Sequence, residues 1–142
     1  IGNRILMSAV TGWFVAQLLK TIIHTLMTKK FDPERLTGSG GMPSSHSSTV
    51  CAMATASGLL YGLDSFAFAV TVIIAIIVMH DAMGVRLETG KQAKLLNEIV
   101  ESFRTMNGKK LAEEKLKEFV GHTPLQVLMG ALLGILIGFL MA

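Results

Sequence analysis

Four apolar stretches, at residues 5–27, 46–63, 66–83 and 124–141, leave this chain few ways to fold. A helix rises about 1.5 Å per residue, so the longer stretches come close to the ~30 Å hydrocarbon core of a bilayer. Of the 142 residues only 16% are charged and 51% are hydrophobic, against about 25% charged in soluble domains. A soluble bundle of this size would have to bury four helices on every face, and it has too little volume to do so. The expected architecture is therefore an all-α integral membrane bundle of about four transmembrane helices, a single domain over 1–142. Amphipathic interfacial helices are expected in the loop between the third and fourth spans. The β-branched run 72–78 would suit a buried strand, but the length of its stretch favours a membrane helix. A single cysteine, Cys51, excludes disulfide frameworks and zinc ribbons.

The polar residues concentrate in two loops, 28–45 and 84–123. The first carries three basic residues and the second eight, so that eleven of the thirteen Lys and Arg fall on one side of a four-span protein. The excess of basic residues predicts that both loops are cytoplasmic. This placement turns the net charge of +3 into a topology signal and removes the nucleic-acid reading that a basic chain invites. Within the second loop, Leu96, Ile99, Val100 and Phe103 recur at helical spacing opposite Lys94, Asn97, Glu98 and Glu101, which predicts an amphipathic helix. A second short one is expected over 111–120. In the last span Gly130, Gly134 and Gly138 repeat every four residues, the spacing that lets membrane helices approach closely. This glycine-lined helix, 124–141, is also a candidate surface for homo-oligomerisation. Lys20 and His24 interrupt the first span, and the sequence offers no catalytic role for either: Lys20 snorkels or faces the bundle interior.

Two constellations carry chemistry. Gly40-Gly41-Met42-Pro43-Ser44-Ser45-His46-Ser47-Ser48 precedes the second span, placing hydroxyls, unpaired first-turn amides and a titratable imidazole at a helix start. Such an end attracts anions. A serine cap alone needs one hydroxyl. Gly121-His122-Thr123-Pro124 opens the last span, with Gln126 four residues beyond His122, positioned so that one ring nitrogen is held while the other faces a substrate. Asp81, at the end of the third span, is costly at that depth unless paired, and Arg86 or Lys91 would pair it. It is equally placed to stand in for an acid beside His122. A metal site built from His80, Asp81 and His122 is a minor alternative.

Pro43-Ser44-Ser45-His46 resembles the Pro-Ser-Gly-His motif of the type 2 phosphatidic acid phosphatase superfamily, which includes the vanadium-dependent haloperoxidases. His122 to Gly130 is similar to that superfamily's third motif. Residues 41–47, the 81–92 segment with Gly84-Val85-Arg86 and Gly90-Lys91-Gln92, and 121–124 together resemble its divergent branch of bacterial and plastid membrane proteins. The resemblance covers nearly the whole chain. It implies metal-independent hydrolysis of a lipid phosphate or diphosphate, without a cofactor and with vanadate as a phosphate mimic, by a multi-pass protein of the bacterial plasma membrane. On that template His122 is the nucleophile and His46 the general acid, with Gln126 and Asp81 at the catalytic centre. Ser44, Ser45, Arg86, Lys91, Arg35 and Lys30 would bind the phosphate. The implied partners are membrane lipid and the lipid-phosphate substrate.

Three positions depart from the pattern. Gln126 stands where the family has an acid, and an amide oxygen accepts a hydrogen bond but does not stabilise an imidazolium as a carboxylate does. Leu116 occupies the place of the arginine before the nucleophile. Arg35 lacks a following proline, leaving it and one lysine, Lys29 or Lys30, from the first motif. The rival expectation is a phospholipid- or phosphate-binding membrane protein that keeps the anion site without turnover. A small transporter or assembly factor using the same pocket comes third.

Overall fold

A computed structural model describes residues 2–36, 41–107 and 121–142, and the side chains of 34, 35, 106 and 107 fall outside that description. Among the described residues there are five α-helices: α1 (Arg4–Thr28), α2 (Ser45–Tyr61), α3 (Phe66–Met83), α4 (Val85–Asn107) and α5 (Pro124–Met141). A single 3-10 turn, Pro33–Leu36, follows α1. Helices α1, α2, α3 and α5 match the four apolar stretches. Three helices among the described residues are long and apolar enough to cross a membrane: α1, α5, and the one that begins at Phe66 and runs on toward α4. At seventeen residues, α2 is the short one, and its neighbours α1, α3 and α5 enclose it.

Each of these four helices begins at a polar side chain that accepts a hydrogen bond from a first-turn amide: Asn3, Ser44, Ser65 and Thr123. Such caps satisfy donors that hydrocarbon would otherwise strand. Pro124 occupies the first turn of α5, where its missing N–H costs nothing. The outward faces stay apolar, as with Ile73, Ile76 and Ile77 of α3 and Leu132 and Leu136 of α5.

Helix α2 is the hub because small residues line its contacts. A Cβ placed on Gly130 would strike the Ser44 carbonyl and one on Gly134 the Ser48 carbonyl, while one on Gly138 would sit 2.9 Å from the Ala52 oxygen. On the other side a Cβ on Gly12 of α1 would lie 2.9 Å from the Ser48 oxygen, and the Ser48 hydroxyl donates to the Gly12 carbonyl at 2.9 Å. The glycine repeat therefore works inside the chain. Its face is filled by α2, and the side of α5 left open carries Leu125, Leu128, Leu132 and Leu136.

The charged loop also differs from its expected form. The helix restarts at Val85, one residue after Gly84 caps α3, so the amphipathic element is 23 residues long and begins well before Lys94. Leu95, Leu96, Ile99 and Phe103 form its exposed apolar stripe. The expected helix over 111–120 lies outside the described residues. Both chain ends meet at the far end of the bundle, where the Arg4 guanidinium donates to the Ala142 carbonyl at 2.6 Å.

The α2–α5 contact generates a packing prediction. Gly134→Val should overpack it and lower stability by about 1–3 kcal/mol, read as a drop in thermal midpoint in detergent. Gly2→Ala, whose Cβ would meet only Met7 Cγ at 3.8 Å, should leave the midpoint unchanged.

Candidate active site

Three helix ends converge opposite the chain termini: the start of α2, the end of α3 and the start of α5. Backbone bonds tie them together. The Ser44 amide donates to the Gln126 carbonyl at 3.1 Å, and the His122 amide donates to the Ala82 carbonyl at 3.0 Å. Just before His122 the chain passes so close to α4 that a Cβ on Gly121 would collide with the Leu87 backbone. That passage brings the first turn of α4, and Arg86 with it, against the same end of the bundle.

The two histidines meet there. Their ring centroids are 6.0 Å apart and the planes cross at 62°. His122 is fully buried. Its Nδ1 lies 3.4 Å from the Gln126 Oε1, and its Nε2 is buried with no hydrogen-bond partner. If Nδ1 carries the proton toward Gln126, Nε2 presents a lone pair to the space between the rings. Burial holds His122 below its ordinary value of 6.5, and the Lys20 charge adds to that, while the Gln126 and Gly41 oxygens act in the opposite sense. At neutral pH His122 is therefore an uncharged imidazole.

His46 occupies the first turn of α2, with Nδ1 buried and lacking a hydrogen-bond partner. Its Nε2 contacts Nη1 of Arg86. A guanidinium only donates, so Nε2 of His46 accepts and the neutral ring keeps its proton on Nδ1. Arg86 is held in turn by Asp81, whose Oδ2 is 2.7 Å from Nε. Asp81 thus forms the ion pair that its depth demands, and it reaches His46 through Arg86.

The remaining candidates divide. Ser45 is the buried first residue of α2, and its amide has no acceptor within the helix. Ser44 is in part engaged elsewhere: its hydroxyl accepts from the Ser47 amide at 3.3 Å and its amide donates to the Gln126 carbonyl, which leaves the hydroxyl proton as its donor. Lys91 pairs with Glu88 at 2.9 Å on the exposed face of α4, away from both rings. Lys30 is exposed beyond the end of α1. Arg35 lies in the 3-10 turn, with its side chain outside the description. His80 is exposed, and no group of three His, Cys, Asp or Glu among the described residues has the geometry to hold a metal ion.

Sequence reasoning missed Lys20. Only 2% of it is exposed, and its charge acts on His122 from inside the bundle. Its stem lies against Gly41, whose Cα would carry a Cβ 3.4 Å from Lys20 Cγ and whose φ of +83° falls in the left-handed region. The signal was periodic. Ser8, Gly12, Ala16, Gln17, Lys20 and Thr21 share the buried face of α1, so a lysine on that stripe points into the bundle and not to the membrane surface.

Because the unfolded chain takes up the His122 proton first, this residue costs stability as pH falls below about 6.5 and nothing above it. The slope from one group is at most about 1.4 kcal/mol per pH unit. Thermal unfolding in detergent at pH 7.5 and 5.5 should show a smaller acid loss in His122→Gln than in the parent.

The profile of the family described as "Divergent PAP2 family" matches residues 1–137. The chain is 41% identical over 149 residues to "Uncharacterized membrane protein YuiD" of Bacillus subtilis (strain 168), covering 99% of this chain and 94% of that protein. No solved structure matches it significantly. With almost its whole length matched, the chain belongs to the divergent PAP2 family of membrane proteins.

Proposed function

We propose that this protein is a membrane phosphohydrolase that removes phosphate from a lipid phosphate or diphosphate through a phosphohistidine intermediate. The observation that carries the reading is the pair of imidazoles 6.0 Å apart, each with a buried ring nitrogen lacking a partner. Arg86 contacts His46, and the charges of Lys20 and Arg86 both act on His122.

In the first step Nε2 of His122 attacks phosphorus, the bond to the leaving oxygen breaks, and protonated His46 gives its proton to that oxygen. Water then attacks the phosphohistidine with His46 as base, releasing phosphate and restoring both rings. Lys20, Arg86 and the Ser45 amide balance the charge on the equatorial oxygens, the main task in phosphoryl transfer. For His46 to act as acid, Arg86 must move from Nε2 to a phosphate oxygen, so the bound dianion both frees and charges the acid. The eleven basic residues of the two loops support a cytoplasmic position for this end of the bundle.

One observation favours the second reading, a phosphate- or phospholipid-binding protein without turnover. The Gln126 oxygen is engaged more closely by the Thr123 amide, at 3.0 Å, than by His122, at 3.4 Å, and it carries no charge. On this reading Gln126 is the capping-box residue of α5 and holds the nucleophile weakly.

Purified protein in detergent should release phosphate from a long-chain lipid phosphate in the presence of EDTA, with vanadate inhibiting. His122→Ala should reduce turnover to background, and unchanged turnover there would sink the mechanism. His46→Ala should lose about 10²–10⁴-fold on alkyl phosphates, and much less on an aryl ester, whose leaving group needs no proton. Lys20→Met should weaken vanadate inhibition at least tenfold. Vanadate binding without turnover, with turnover appearing in Gln126→Glu, would establish the binding reading instead.

A further inference from the structure

A groove of about 320 Å³ lies between α1 and α5, on the flank of α1 next to the buried Lys20 face. Leu19 and Ile23 form one wall, Met129, Leu133 and Leu136 the other, and Pro43 closes the end toward the start of α2. All its lining residues are apolar. Each wall stands next in sequence to a residue of the site region: Leu19 adjoins Lys20, Pro43 adjoins Ser44, and Met129 adjoins Gly130, which packs on Ser44. Neighbours on a helix point about 100° apart. Leu19 and Lys20 therefore lie at the same depth, one facing the groove and the other the site. From Met129 to Leu136 the groove extends about 10 Å along α5, away from the site.

Building on the lipid-phosphate reading, we propose that this groove receives the single hydrocarbon chain of the substrate, entering from Pro43 and descending along α5 while the phosphate lies between His46 and His122. The dimensions select this occupant. A helix from a second copy is 10–12 Å across with its side chains, too wide for a cleft of this volume, whereas one unbranched or prenyl chain fits. Met42 and Met129, at its upper end, supply side chains that adjust to either chain type. An acyl chain and a prenyl chain share this chemistry, and the substrate panel distinguishes them.

The experiment uses the whole protein in nanodiscs, with hexadecyl phosphate, farnesyl phosphate and soluble p-nitrophenyl phosphate as substrates. Met129→Trp and Leu136→Trp, both at partly exposed positions that tolerate bulk, should lower the ratio of long-chain to soluble-ester kcat/KM at least tenfold. Ile76→Trp, on the outer face of α3, should leave that ratio at the parental value. A fall for hexadecyl phosphate alone assigns an acyl-type chain, and a fall for farnesyl phosphate alone a prenyl chain. An unchanged ratio in both groove variants overturns the proposal, as does an equal fall in Ile76→Trp. If the parent hydrolyses none of the three, the hydrolase reading fails and the groove is tested by retention of the two lipid phosphates in native mass spectrometry. Tenfold lower retention in Met129→Trp than in Ile76→Trp then supports the groove, and equal retention overturns it.

Discussion

The contact that organises this molecule is one of backbone on backbone. Along α5 the glycines at 130, 134 and 138 bring the helix against the carbonyls of Ser44, Ser48 and Ala52 with no side chain between them. In hydrocarbon, lipid is as apolar as leucine, so burying apolar surface does little to bring helices together, and close packing decides. A one-residue shift of α5 would put Ala131, Ile135 and Phe139, or Met129, Leu133 and Ile137, in the places of the glycines, so the register is fixed. With it is fixed the height of His122, two residues ahead of α5, relative to His46 in the first turn of α2. The same contact makes the Ser44–Gln126 backbone bond possible, so packing and site geometry are set together.

That arrangement explains a division of labour among the polar residues near the rings. Ser44, Ser47, Thr123 and much of Gln126 are engaged in ending helices and satisfying amides that a low-dielectric surrounding would penalise. The groups available to an anion are those whose structural duties leave a donor or a lone pair: the Ser44 hydroxyl proton, the Ser45 amide, Arg86 beyond its bond to Asp81, and Nε2 of His122. A serine in such a segment serves as a cap or as a ligand, and the sequence does not distinguish the two.

The fold was legible because its determinants are local. Four apolar runs, the glycine spacing, Pro124 and the helical stripe on α4 each report directly on one element. The site was legible where a residue type has few uses in a membrane protein, as with His46, His122 and the Asp81–Arg86 pair. It was illegible where the decision depends on which way a helix is turned. Lys20 and Lys91 are both lysines within helices, yet one lies on the buried stripe of α1 with 2% exposure and the other on the outer face of α4 beside Glu88. Only the packing of α1 against α2 and α5 separates them. The glycine repeat posed a similar ambiguity, since small-xxx-small spacing serves contacts within a chain as well as between chains.

The electrostatics around the two rings favour a dianion over any neutral ligand. Lys20 and Arg86 both bring positive charge to His122, a potential that helps keep its ring uncharged. A phosphate dianion cancels that potential. On the proposed mechanism its arrival draws Arg86 away from His46, so the ring that must donate a proton becomes able to hold one when a leaving group is present to receive it. On that mechanism His122 has to remain neutral under the same field, and its burial works in that direction, while the Gln126 oxygen opposes it only as an uncharged acceptor. A carboxylate at 126 would stabilise the imidazolium-like charge that develops during attack, but it would also raise the affinity of His122 for a proton before attack. The amide gives up part of the first effect and avoids the second, which makes Gln126 compatible with a slow nucleophile working against a strongly cationic pocket.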